Sequence, residues 1–159
     1  MDKHERVIDL KREERFIEEY VSLRNRYSEF LLTKPVNLVE TKEWLKDNQI
    51  EIRGFVRDGT LLGVVILYIN RDGEIAFFAK DQNLGMGSKL LHIISEVAEK
   101  KNLKSIWGWV LKDNFLAQRV FGKNGFINEG LVERMYEGVI REGIRYKKII
   151  SKSKYNNDR

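Results

Sequence analysis

The sequence predicts an α/β chain of the α+β mixed-sheet kind, a central sheet of antiparallel and parallel strands with helices on both faces. Three observations carry this. The turn pairs Asp58-Gly59 and Asp72-Gly73 separate three strand-length apolar runs, the signature of an antiparallel meander. The third run, Ile75 to Ala79, enters a glycine-hinged loop and then a helix. Leu90, Leu91, Ile94, Val97 and Ala98 recur along that helix at helical spacing. A further strand, Ser105 to Leu111, follows, which makes strand–helix–strand a parallel crossover, and a sheet built this way needs helical cover on both sides.

Taken in order, Arg6 to Leu10 forms a first strand, and Phe16, Ile17, Tyr20, Val21 and Leu23 mark a helical face. From Arg24-Asn25 to Pro35, the only proline, the pattern is irregular. Asn37 with Glu40 three residues on predicts an N-capped helix carrying Leu38, Val39, Trp44 and Leu45 and ending near Asp47-Asn48. The meander uses Ile50–Val56, Leu61–Ile69 and the strand after Glu74. Beyond Ser105–Leu111, Asp113-Asn114 breaks the strand and caps a helix from Phe115 to Lys123, with Gly125 as its left-handed stop. Phe126-Ile127 opens the last β region. Leu131–Ile140 and Ile144–Ile150 are expected to form a hairpin turning at Glu142-Gly143. The predicted order is β-α-α-β-β-β-α-β-α-β-β.

A chain of 159 residues suits one domain over 1–150, with a polar tail at 151–159. There is no cysteine, and His4 and His92 are the only histidines, so disulfide frameworks, cysteine nucleophiles and the usual cysteine/histidine metal sites are excluded. His92 lies among Lys89, Glu96 and Glu99 and reads as a solvated surface residue. The charged start MDKHERVIDL has no apolar signal region, and the longest apolar run, Leu61 to Ile69, is too short to cross a bilayer. These features predict a cytoplasmic protein without membrane partners. The net charge of +5, from 29 basic and 24 acidic residues, suits anionic ligands, but no basic-aromatic stretch points to nucleic acid.

Gly85 and Gly87 flank Met86 where the long helix must begin. Glycines allow close backbone approach there, and the first helical N–H groups lack intrahelical partners, so the helix start attracts phosphate. A dinucleotide G-x-G-x-x-G loop would need glycine at Leu90, and a G-x-x-x-x-G-K-[S/T] loop would need Gly-Lys at Leu90-Leu91. Both spacings fail.

The run Gln82-Asn83-Leu84-Gly85-Met86-Gly87 resembles the Q/R-x-x-G-x-G/A pyrophosphate loop of the GCN5-related N-acetyltransferases, the GNAT superfamily. Val110, Asn114, Ala117, Phe121, Lys123, Gly125 and Phe126 resemble the later family motif, V-x-x-x-N-x-x-A followed by Y-x-K-x-G-F. The two patches stand in the family's order and span Glu74 to about Gly130. The resemblance implies the acyl-CoA N-acyltransferase fold, acetyl-CoA as co-substrate and no metal. It also implies a primary amine as acceptor, small-molecule or peptide, and a monomer or homodimer.

It further implies residue roles. The pantetheine arm would pair with the backbone at Phe77, Phe78 and Ala79. The pyrophosphate would sit on Leu84, Gly85, Met86, Gly87 and Ser88, with Gln82 anchoring the loop. Asn114 would contact the pantetheine side, and Phe121 and Lys123 would lie toward its sulfur and its adenosine end. Family members commonly carry tyrosine at the position of Phe121 as general acid. Phenylalanine has no proton to give, so the acid is water, another phenol such as Tyr136, or dispensable. Glu74 is the candidate base. Leu23-Arg24-Asn25 to Trp44-Leu45 resembles the acceptor side of members that modify amino sugars of nucleotide-linked sugars, where Arg24 and Arg26 would bind a diphosphate. Members acetylating ribosomal-protein N-termini share this architecture. A module that binds CoA without catalysis is the remaining alternative.

Overall fold

The computed structural model of the chain describes residues 4–28, 31–80 and 85–150. The predicted tail, 151–159, lies outside these residues. The element order is β1 (Glu5–Asp9), α1 (Ile17–Arg26), α2 (Leu38–Trp44), β2 (Ile50–Arg57), β3 (Thr60–Tyr68), β4 (Glu74–Ala79), α3 (Met86–Lys100), β5 (Ser105–Leu111), α4 (Phe115–Lys123), β6 (Ile127–Tyr136) and β7 (Val139–Ile149). Short 3₁₀ turns at Glu14–Phe16 and Ile69–Arg71 complete it, the second taking Ile69 out of its expected strand.

The strands form one sheet in the order β1-β2-β3-β4-β5-β7-β6, antiparallel throughout except between β4 and β5. β3 lies inside it and is apolar at almost every position because both of its faces are covered. Leu61, Val64 and Ile66 pack with α1 and α2, whereas Val65 and Leu67 pack with α3. The continuous run is therefore what a doubly covered strand requires. On α3 the buried residues are Met86, Gly87, Leu90, Leu91, Ile94 and Ala98, the apolar stripe turned to the sheet. The expected caps form: Asn37 Oδ1 accepts from the Glu40 N–H at 2.8 Å, and Asn114 Oδ1 from the Ala117 N–H at 3.2 Å. Between the first two helices, the Asn25 side-chain amide clamps the Val36 backbone, donating Nδ2 to its carbonyl and accepting its N–H at Oδ1, both at 2.9 Å.

The final hairpin differs from expectation. Its turn is Glu137-Gly138, both at positive φ (+50° and +78°), not Glu142-Gly143. Glu137-Gly138 and Glu142-Gly143, two of the chain's three Glu-Gly pairs, lie five residues apart, and local turn chemistry favours neither. The deciding contact is remote. Gly143 lies within β7 between Leu111 of β5 and Val132 of β6, and a Cβ there would collide with the Trp109 indole. Gly143 is thus a packing glycine inside a strand.

Candidate active site

β4 and β5 pair only at Glu74↔Trp107 and Ile75↔Gly108, after which the strands part. The opposite edge of β4 is fully paired with β3 from Tyr68↔Glu74 to Gly63↔Ala79. Backbone groups of β4 from Ala76 onward therefore face a cleft rather than a neighbouring strand. The cleft is lined on one side by Asn114, Ala117, Val120 and Phe121, and on the other by Arg24, Tyr27, Tyr68, Arg71 and Arg134, with Glu74 to Ala79 along its floor.

The α4 side is built from interlocking rings and glycines. Phe121 is buried and stacks on Tyr146 at 5.3 Å, with Phe126 and Phe77 edge-on at 4.9 and 5.4 Å. Its ring lies against Gly108, where a Cβ would come within 2.5 Å of Cζ. Helix α3 starts beside it. Gly85 is the left-handed residue preceding the helix (φ +72°), and the space around its α-carbon is open. Gly87 is different, because a Cβ there would stand 2.9 Å from Val120 and 3.2 Å from Phe77. Its smallness brings α3 and α4 together at the mouth of the cleft. Ser88 Oγ accepts from Asn124 Nδ2 at 3.0 Å, a second tie between these helices.

The other side is a charge cluster. Strand alternation turns Glu74 to the face of Phe78, which packs toward α1 and α2. Glu74 is 8% exposed, and its Oε2 accepts from Arg134 Nη2 at 2.7 Å while Arg71 Nη1 stands 3.5 Å from Oε1. The Arg134 guanidinium also lies 4.8 Å from the centre of the Trp109 ring, and that of Arg71 lies 4.2 Å from the centre of Tyr68. Burial pushes the Tyr68 phenol above its usual pKa. Arg71 and Arg24 pull it back and Glu74 adds to the rise, so these groups form one electrostatic unit. Arg24 Nη1 donates to the Lys34 carbonyl at 3.2 Å.

The profile of the Acetyltransferase (GNAT) family matches residues 14–126, well over half the chain. The chain belongs to the GNAT acetyltransferase family. No curated protein sequence matches it. The fold is similar to spermidine N-acetyltransferase from Vibrio cholerae, solved with CoA and spermine, at TM-score 0.80 and 20% identity over 95% of this chain and 98% of that one. It is also similar to ribosomal-protein-alanine N-acetyltransferase from Brucella melitensis, at TM-score 0.78 and 15% identity over 91% and 99%. A GNAT acetyltransferase from Streptococcus pneumoniae matches at TM-score 0.74 and 21% identity over 92% and 99%.

Within this GNAT fold the expected site residues separate into groups. Phe77, Phe78, Ala79, Gly87, Asn114, Phe121, Glu74 and Arg24 line the cleft. Gly85, Met86 and Ser88 surround the start of α3, with Met86 buried under Gly63. Lys123 and Arg26 are exposed and do not line the cleft. Tyr136 is not among the lining residues either; its hydroxyl donates to the Thr33 carbonyl at 3.0 Å. Gln82 and Leu84 lie outside the described residues. Sequence reading missed Tyr68, Arg71, Trp109 and Arg134. Glu74 and Arg134 are 60 positions apart, so no local pattern joins them. Among the described residues no group of three His, Cys, Asp or Glu side chains is placed to hold a metal ion, and no helix is long and apolar enough to cross a membrane.

Proposed function

We propose that this GNAT domain transfers the acetyl group of acetyl-CoA directly to a primary amine within a ternary complex. The observation that carries the reading is the parting of β4 from β5, which leaves one edge of β4 free beside Asn114 and the start of α3. An extended pantetheine arm would pair with that edge at Phe77, Phe78 and Ala79 as an added strand. Its pyrophosphate would rest on the backbone N–H groups at Gly85–Ser88, with Gln82 and Leu84 completing the loop and Lys123 on the adenosine side. Asn114 uses its side-chain oxygen as the cap of α4, which leaves its Nδ2 as a donor toward the arm.

In this reading the amine enters from the side of α1 and attacks the thioester carbonyl. The new C–N bond forms as the C–S bond breaks, and the amine proton passes through water to Glu74, whose carboxylate Arg134 and Arg71 hold in place. Phe121 walls the arm and supplies no proton. The departing thiolate is stable enough near neutral pH to take its proton from water. Tyr136 keeps its hydroxyl for the Thr33 carbonyl and has no part in proton transfer. The acceptor is a small amine, of which an amino sugar of a nucleotide-linked sugar is one form; a protein N-terminus is the alternative.

Calorimetry with acetyl-CoA and initial-rate kinetics test the reading. Intersecting double-reciprocal lines are expected, because the chain has no cysteine to carry an acetyl group. Parallel lines together with a trapped acetyl-enzyme would overturn direct transfer.

A further inference from the structure

Resting on that acetyl-transfer reading, we infer that the acceptor is an amine that also carries an anionic group, a carboxylate or a phosphate, which Arg24 and Arg71 hold while the Glu74–Arg134 pair faces the amino group.

Charge is the first argument. The acidic and basic residues on the cleft wall are Arg24, Arg71, Arg134 and Glu74, three basic against one acidic. The single carboxylate is already engaged, by a 2.7 Å bond to Arg134 and by Arg71 at 3.5 Å. A polyamine would bring two or more further positive charges into this cleft and meet no free carboxylate there. An acceptor bearing an anion brings the missing counter-charge.

The geometry of the two outer arginines is the second argument. Arg71 Nη1 stands from Glu74 at a distance too long for a strong hydrogen bond, and its side chain is 58% exposed, so donors remain for a ligand. Arg24 donates to a backbone carbonyl and also acts on the Tyr20 phenol, and its five-donor fork exceeds these contacts. Both act on the Tyr68 phenol, which sets them on one side of the cleft rather than at opposite ends. Guanidinium groups are the side chains best suited to planar, two-point capture of carboxylate or phosphate. Tyr68 under Arg71 and Trp109 against Arg134 hold the cationic planes in position. A third feature agrees. The Thr33 hydroxyl is one of two buried hydroxyls among the described residues without a hydrogen-bond partner, and Thr33 lies on the same wall.

The test is acetyl transfer from acetyl-CoA, read as free thiol, to amines paired so that only the anion differs. The pairs are phosphoethanolamine with ethanolamine, β-alanine with propylamine, and an amino-sugar 1-phosphate with the free amino sugar; spermidine is the polyamine arm. At least one anionic member is expected to exceed its neutral partner in kcat/KM by about tenfold or more, the usual weight of a charge-assisted hydrogen bond. Which pair shows the gap separates carboxylate from phosphate. Arg24→Gln and Arg71→Gln should each narrow the ratio within that pair, and added salt should narrow it too. Preference for spermidine or for the neutral members, or ratios unchanged in both variants, would overturn the inference. If no amine is acetylated, calorimetry on the CoA complex decides instead: anionic members must bind more tightly than neutral ones, and equal binding overturns it. The failure of the transfer reading itself looks different, since no amine would then be acetylated, whichever members of the pairs bind.

Discussion

The two walls of the cleft are made in different ways. The wall proposed for the cofactor is backbone and small residues, the free edge of β4, Gly85 and Gly87 at the start of α3, and the Asn114 cap of α4. The wall proposed for the acceptor is side chains gathered from remote places: Arg24 on α1, Tyr68 and Arg71 around the β3–β4 turn, Glu74 on β4 and Arg134 on β6. A wall that works through backbone geometry tolerates few shapes at a few positions. A wall that works through side-chain charge can be redrawn without moving the fold.

Substitutions should separate the two walls. The largest effect is expected from Gly87→Glu. It drives a side chain into Val120 and Phe77 and adds a negative charge at the helix start, so acetyl-CoA affinity should fall by more than about a hundredfold. Calorimetry measures this, and Gly85→Ala is the companion. No atom crowds that position, so its cost should be mainly the strain of positive φ, about 1 kcal/mol in thermal unfolding. Equal affinity loss in the two variants would mean that the close α3–α4 approach is not what distinguishes them.

On the acceptor wall, Glu74→Gln should lower turnover by roughly a hundredfold, the lower range for a positioned base, while acetyl-CoA still binds. The same change leaves Arg134 without its 2.7 Å carboxylate, and a stability loss of about 1–3 kcal/mol is expected in denaturant unfolding. A variant that loses cofactor affinity in parallel with turnover would show that the two walls are not independent.

Tyr136→Phe should do less. It removes one hydroxyl bond to the Thr33 carbonyl, about 0.5–1.5 kcal/mol, and turnover should stay within a few-fold of the parent. A hundredfold drop in turnover with intact acetyl-CoA binding would instead make Tyr136 the proton donor that Phe121 cannot be.

The smallest effect is alkaline. Burial raises the pKa of Tyr20, Tyr68 and Tyr146 above the usual value. Above about pH 10 the unfolded chain releases these protons while the folded chain keeps them, so their contribution to stability is intact below pH 10 and is lost as pH rises beyond it. Melting scans from pH 8 to 11 should show the decline, and Tyr68→Phe should make it shallower.

Much of this was legible from residues close together in the chain. The meander, the Asn37 and Asn114 caps, the α3 stripe and the span of α4 follow from short-range patterns, because helix periodicity, turn glycines and capping oxygens act over a few residues. The family resemblance was legible for the same reason, since its motifs are contiguous. The tertiary structure decided what depends on contacts between distant segments. Glu137-Gly138 and Glu142-Gly143 are the same dipeptide, yet the first turns and the second lies flat in β7, where the Trp109 indole leaves no room for a Cβ at Gly143. Gly85 and Gly87 look alike in sequence, yet only the second is held small by Val120. Arg134 on β6 reaches Glu74 on β4 across 60 residues and past the intervening strands β5 and β7, so the charge of the proposed acceptor wall is a product of the tertiary fold that no local pattern records.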